Sequence, residues 1–453
     1  MSARGRHIAT VAGKRFLFGL WYARFGLASA SARRAAFARQ TRFACEELGP
    51  AFIKLGQLAS VRPDIFSAEA VFELERLQDS VPPVPIERIR RAIHGEFGQD
   101  ADALFDEFED VPVASASIAQ VHRARLKAAY RPVFGAPMAA GTAIAIKVVR
   151  PGATDDIRSD IELAHRWLRW IPRFGLLARI DLEAFLGEFE VTLRSETDLR
   201  NEGRVAERFA FDVRDDELVL VPRVVWTRTT RRVLTMEFVE GWRLTELTDA
   251  ERDGVDARAL AIHGADVFMR QVLVLGRYHA DLHPANLFVT PDSRICYLDF
   301  GIVGITLPAQ RIAIAQVLAA TVYGDADRAV RYSRELGLEI PTSQEAAVRD
   351  RVAALMNRTL RRPGQRADVR GFAIGFLSML ADFKIAVPVG YGLLIKALVT
   401  VEGVAQAIYP DIDITQTARP FATRLIAQEM LRPGRINAKA PEMLRAAMRV
   451  LSE

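Results

Sequence analysis

One short segment constrains this chain more than any other. His279-Ala280-Asp281-Leu282-His283-Pro284-Ala285-Asn286 sets an aspartate and an asparagine on one loop, and Asp299-Phe300-Gly301 follows thirteen residues after Asn286. Between them, Leu287-Phe288-Val289 and Ile295-Cys296-Tyr297-Leu298 are apolar runs flanking Pro291-Asp292-Ser293, the pattern of strand, turn and strand. Such a unit folds the chain back and returns Asp299 towards Asn286. Carboxylate and amide oxygens are the hard donors that Mg²⁺ accepts. Asp281, left over, can orient a hydroxyl or a water and take its proton. The segment therefore reads as a phosphoryl-transfer site, with Asn286 and Asp299 as metal ligands and Asp281 as catalytic base.

A second segment supplies the cation such a site needs. Ala143-Ile144-Ala145-Ile146-Lys147-Val148-Val149 alternates as a strand and places Ala145 and Lys147 on one face. An ammonium there can hold the α- and β-phosphates of ATP, and it needs a carboxylate partner. Glu196, Asp198 and Glu202 fall in a stretch, Glu188–Phe211, that reads as one helix, with Asp198 and Glu202 on a shared face. Glu202 is the expected partner of Lys147, and Glu196 points elsewhere. Arg232–Val239 reads as a strand leading to a hinge, where Glu237 and Val239 would offer backbone groups to adenine. Where a phosphate-cradling loop would carry glycines, the chain has Ala114-Ser115-Ala116-Ser117. Alanine approaches phosphate less closely than glycine, so a stiff lid is expected, able to offer N–H groups and the hydroxyls of Ser115 and Ser117. After Gly301, Ile302–Pro308 runs directly towards a helix, leaving no long loop on which a protein substrate could rest.

The order of these signals predicts an α+β, protein-kinase-like fold of two lobes. A basic helical arm at 1–44 and a helical extension at 45–100 precede a small strand-rich lobe at 101–240 and a large helical lobe at 241–453. The net charge of +5 is small for 453 residues and argues against a nucleic-acid partner. It is uneven, however: residues 1–50 hold nine Lys and Arg against Glu46 and Glu47, a bias that suits an anionic surface. Cys45 and Cys296 have no metal spacing and suit a reducing cytoplasm. No uncharged apolar run reaches the ~18 residues of a spanning helix. The expectation is a cytoplasmic protein without a transmembrane helix, lying peripherally at the inner face of a membrane.

Taken with Lys54-Leu55-Gly56-Gln57 and the alanine-rich run Ala114–His122, these motifs resemble the UbiB, or ADCK-like, family of atypical kinases. Glu196-Thr197-Asp198 is similar to its E-x-D motif, and the resemblance covers about residues 45–410. It implies ATP binding, Mg²⁺-dependent hydrolysis, and support of isoprenoid-quinone biosynthesis or lipid homeostasis, with quinone-pathway lipids or proteins as partners. It also implies that Lys54 and Gln57, which share a helix face, cover the cleft by facing Glu196 or Asp198. Leu282 and Ala285 depart from the family's usual proline and glycine. A phosphotransferase of the aminoglycoside or choline kinase type would use the same Asp281, Asn286 and Asp299. A nucleotide-gated scaffold at the membrane surface is a further reading. The acceptor and the oligomeric state are not legible in the residues.

Overall fold

The computed structural model of the chain describes residues 3–25, 30–60, 66, 68–74, 76–77, 81–168, 187, 190, 197–244, 254–280, 282, 284–360, 366–413 and 420. The chain divides into two units. The first is Met1–Glu240 with Cys296–Gly301, and the second is Gly241–Ile295 with Ile302–Glu453.

The first unit is organised around an antiparallel sheet. Strand β1 (Phe105–Asp106) and strand β2 (Ala114–Ser115) both pair with β3 (Ala119–Leu126). β3 pairs with β4 (Ala143–Val149), and β4 with β6 (Val233–Glu237). A short strand β5 (Val219–Leu220) lies between β4 and β6 in the chain. The alternation in β4 does what a period of two requires. Ile144, Ile146 and Val148 are fully buried against helix α5 (Ile86–Phe97), whose Ile89 and Ile93 complete the same core. Ala145 and Lys147 face the other way. Helix α5 thus belongs with the sheet, although the sequence placed it in the preceding extension.

The extension itself is α1 (Ala3–Phe25), α2 (Ala30–Leu48), α3 (Pro50–Ser60) and α4 (Ala68–Leu74). Cys45, Ile53, Ala59, Leu74 and Leu77 form one core there; Ile8, Val11 and Leu48 form another with Leu163 of the long helix Ala153–Leu168. The basic helical arm expected from composition is tied down by several ion pairs. Arg4 binds Asp160 through two hydrogen bonds, at 2.7 and 2.6 Å, and Arg15 binds Glu47. Arg34 pairs with Glu69, while Arg39 and Arg42 converge on Glu73. Part of the positive charge that looks unbalanced in sequence is thus met by acids outside the first fifty residues, Glu69, Glu73 and Asp160.

In the second unit, a helix at Ala257–Arg270 continues into a π-turn, Gln271–Leu275, which ends at Gly276 with φ 74°. Strand β8 (Arg277–His279) then pairs antiparallel with β11 (Val303–Ile305), setting Tyr278 opposite Gly304. The sequence left Ile302–Pro308 as a plain run into a helix; the structure puts this strand there first, before the helix Pro308–Tyr323. Strand β7 (Trp242–Arg243) pairs with β9 (Leu287–Val289). Helices at Ala326–Glu335, Glu345–Thr359 and Val369–Asp382 enclose a core that includes Leu355, Met356, Phe376 and Leu380. The helix Val389–Ile408 is, by length and composition, apolar enough to cross a membrane over Gly390–Ile408, a feature the sequence runs did not disclose. Half of that span is buried within the protein, and Lys396 and Glu402 lie on it.

Candidate active site

Lys147 occupies the centre of the sheet face opposite α5. Its Nζ lies 2.6 Å from Glu202 Oε1 and 3.6 Å from Asp299 Oδ2. The pair is sheltered: the Lys147 side chain is 18 % exposed and that of Glu202 9 %. Glu202 reaches it from a helix at Leu199–Asp212. The next residue, Gly203, lets that helix sit close to β6. A Cβ at Gly203 would stand 3.0 Å from the Trp226 ring and 3.2 Å from Leu234. Leu234 is the cross-strand neighbour of Lys147, so the same contact aims Glu202 at the ammonium.

Asp299 comes from β10 (Ile295–Tyr297) and the residues after it. The sequence assigned Cys296–Gly301 to the large lobe, but this segment groups with the first unit. Aromatic packing accounts for that. The Phe209 ring, on the Glu202 helix, lies 4.9 Å from Tyr297 and 5.5 Å from Phe300, centroid to centroid. The helix is thereby fixed near one end by the Lys147 ion pair and near the other by the phenylalanine of Asp299-Phe300-Gly301. The Gly301 N–H donates to Asp299 Oδ1 at 2.7 Å, which leaves Oδ2 towards Lys147. The Asp299 side chain is 40 % exposed, as a carboxylate that takes an outside cation must be. Asn286 ends a 3₁₀ turn, Pro284–Asn286, in the second unit and is half-buried. An amide and a carboxylate are donors of the hard type that suits Mg²⁺ bound with a nucleotide's phosphates. Asp281 lies outside the described residues. The backbone leading to it is firmly held, with His279 N–H on Gln271 Oε1 at 3.0 Å and Ala280 N–H on the Ile302 carbonyl at 3.1 Å.

Around Lys147, cross-strand register builds an apolar plate. Val121 stands opposite Lys147 on β3, and Met236 stands opposite Ala145 on β6. Strand alternation alone would have flagged Val121. Beyond Met236, the Glu237 N–H is taken up by the Arg223 carbonyl at 2.8 Å, and its carboxylate is clasped by the Arg223 guanidinium. Val239 follows, half-buried, after Phe238 N–H has bonded the Ala143 carbonyl at 3.0 Å.

The alanine-rich run is a closed hairpin, which corrects the expectation of a loop offering its N–H groups and both hydroxyls. Ala114 and Ser115 pair with Val121 and Gln120, and the Ala116 N–H donates to the Ala119 carbonyl at 2.8 Å. None of these residues has a positive φ, so alanine fits without strain. Ser117 is buried. Ser115 Oγ is buried without a hydrogen-bond partner among the described residues. Arg150 ties the hairpin down: its guanidinium donates to the Ala116 carbonyl at 3.0 Å and the Pro82 carbonyl at 2.8 Å, and its N–H to the Ile118 carbonyl. Two further residues, Gln120 and His122, were missed because a buried polar network has no sequence signature. Gln120 exchanges hydrogen bonds with the Val84 backbone and donates to His122 Nε2 at 2.9 Å. His122 Nδ1–H then donates to the Glu109 carbonyl, which assigns the neutral tautomer; burial holds this imidazole below its usual pKa.

Lys54 and Gln57 lie half-buried on α3, and Gln57 donates to the Leu77 carbonyl at 3.4 Å. Between them Gly56 is tightly packed: a Cβ there would overlap Leu77 Cδ1, and the Leu77 side chain would have to move. Asp198 is one of the two acids expected to face Lys54. Asp198 stands just before the Glu202 helix as its N-cap, accepts from Arg200 N–H, and forms ion pairs with Arg200 and Arg231. A residue at the cap has non-helical backbone, so it leaves the face it would share with Glu202. Those arginines hold its carboxyl below the usual range. Glu196, the other expected partner, lies outside the described residues.

A strand lysine clasped by a helix glutamate, with an aspartate of a D-F-G turn beside it, is the arrangement of a protein-kinase-like fold. The comparisons agree. The model of the ABC1 atypical kinase-like domain matches residues 76–333, and that of the UbiB helical domain matches 352–413. The chain belongs to this family of UbiB-type atypical kinase-like proteins. It is 31 % identical over 385 residues to the probable protein kinase UbiB of Marinobacter nauticus, covering 84 % of this chain and 68 % of that one. It is 32 % identical over 416 residues to an uncharacterized protein of Synechocystis sp., covering 92 % of this chain but only 59 % of that relative's length. Among solved structures, the Rv3197–erythromycin complex of Mycobacterium tuberculosis superposes with a TM-score of 0.54 at 22 % identity, over 75 % of this chain and 83 % of that one. That likeness concerns the fold.

Proposed function

We propose that the protein binds ATP with Mg²⁺ and hydrolyses it or passes its terminal phosphoryl group to a small or lipid-like acceptor, in support of isoprenoid-quinone (ubiquinone) biosynthesis or membrane lipid homeostasis. The observation that carries the reading is the position of Lys147, 2.6 Å from Glu202 and 3.6 Å from Asp299 on one face of the sheet. In this reading Glu202 orients the ammonium towards the α- and β-phosphates, and adenine lies on Val121 and Ala145. With its N–H engaged, Glu237 contributes its carbonyl to the adenine edge, and Val239 its N–H. Asp299 and Asn286 hold the metal, whose charge would neutralise the phosphates. Asp281 accepts the acceptor's proton. The short path from Gly301 through β11 to the helix at Pro308 favours a small acceptor over a polypeptide.

As a partner surface, an anionic membrane met peripherally at its inner face is favoured by exposed Lys14 and Arg33 beside exposed Leu17, Phe18 and Phe37 on α1 and α2. The test of the site is direct. Asp299→Asn should abolish the thermal stabilisation that Mg-ATP gives the wild type. Equal stabilisation of both proteins would overturn the metal role of Asp299.

A further inference from the structure

On the α5 side of the sheet, a cavity of about 390 Å³ opens among α5, the end of β4 and the start of the helix Ala153–Leu168. Four arginines line it: Arg88, Arg91, Arg150 and Arg232. Glu96 and Asp155 are the acids in its wall, so the lining carries an excess of two positive charges. Ion pairing does not explain the cluster. Arg232 meets Glu96 only at 4.0 Å. Arg88 donates to the Pro151 carbonyl, Arg91 to the Glu87 carbonyl of its own helix, and Arg150 to the Ala116 and Pro82 carbonyls. Neutral carbonyls fix these guanidinium groups without cancelling their charge. A guanidinium has five donors, so Arg150 retains three beyond its two side-chain bonds. Mutual repulsion is felt as well: burial and the Arg88 charge both lower the pKa of Arg150. Like charges held together in a concavity, outnumbering the acids beside them four to two, are the preorganised form of an anion site. Thr154 and Asp155 of the first turn of the Ala153–Leu168 helix, entered through Gly152 at φ 94°, line the same space.

We infer that this cavity is a second ligand site, separate from the Lys147 face, that takes a phosphate or diphosphate group through Arg88, Arg91, Arg150 and Arg232. The source of that group is either a soluble phosphorylated compound or a lipid headgroup, and both share the chemistry.

The test uses the full chain without nucleotide or Mg²⁺, titrated calorimetrically with pyrophosphate and, separately, with phosphatidylcholine vesicles containing phosphatidic acid. Arg91→Glu is the informative variant, because Arg91 is exposed and bonds only its own helix turn. It should weaken binding at least tenfold while ADP affinity stays within twofold, and Lys147→Met should keep pyrophosphate binding. Saturable pyrophosphate binding with this pattern identifies a soluble ligand. The same pattern seen only with phosphatidic acid identifies a headgroup. Absence of binding to either probe overturns the inference, as does binding that Arg91→Glu leaves unchanged or that Lys147→Met removes.

Discussion

Replacing Glu202 by alanine removes the carboxylate that lies 2.6 Å from Lys147 Nζ. A hydrogen bond to a charged group contributes about 1.5–3 kcal/mol, and both partners here are largely shielded from solvent. Asp299 remains at 3.6 Å, beyond good hydrogen-bond length but close enough to offset part of the charge left on Lys147. The net loss should therefore be about 2 kcal/mol, below the ~3–5 kcal/mol for stranding a fully buried charge. For a unit of this size each kcal/mol lowers Tm by about 2–4 °C, so the expected fall is about 4–8 °C in thermal unfolding without nucleotide. Glu202→Gln keeps an acceptor and should cost about half as much. The double variant Lys147→Met/Glu202→Gln should be less destabilised than the sum of its singles, because each single strands a charge that the double removes. A fall in Tm under about 1 °C for Glu202→Ala, or strict additivity in the double variant, would refute a pair held in the free protein.

Other perturbations read different parts of the structure. Gly56→Ala gains about 1 kcal/mol of helix propensity but pushes into Leu77, with Leu74 and Cys45 Sγ also close; overpacking of about 1–3 kcal/mol should win, and a rise in Tm would contradict the packing role. Asp160→Ala removes an acceptor that is 4 % exposed and holds both arms of Arg4, so α1 should become more susceptible to limited proteolysis; unchanged cleavage would show that the ion pair does not hold the helix. Glu402 is buried, accepts from Val369 N–H and Gln406 through Oε1, and leaves Oε2 without a hydrogen-bond partner among the described residues. Burial raises its pKa, so its protonated form suits the fold. Its contribution is full below the ordinary glutamate value and is lost as pH rises through the folded value. Glu402→Gln should therefore raise stability at pH 7 by about 1 kcal/mol, with the gain vanishing below about pH 4; a loss at pH 7 would reverse the assignment.

The residues whose chemistry is local were legible before any coordinates. Lys147 sits in an alternating strand, the two short strands after Asn286 flank a turn, and Glu202 lies within reach by helical spacing, because periodicity and turn chemistry are properties of neighbours in the chain. The family followed from motif order for the same reason. What the sequence could not disclose depends on partners distant in the chain. Asp198 looks like a second acid on the Glu202 face until Arg200 and Arg231 enclose it at a helix cap. Five arginines of the first helices look like a free basic arm until Glu47, Glu69, Glu73 and Asp160 meet them. The Gln120–His122 relay and the arginine cavity are likewise invisible in one dimension. A charge is written in the sequence, but its neutralisation is a distance, and only the folded chain sets the distances between side chains.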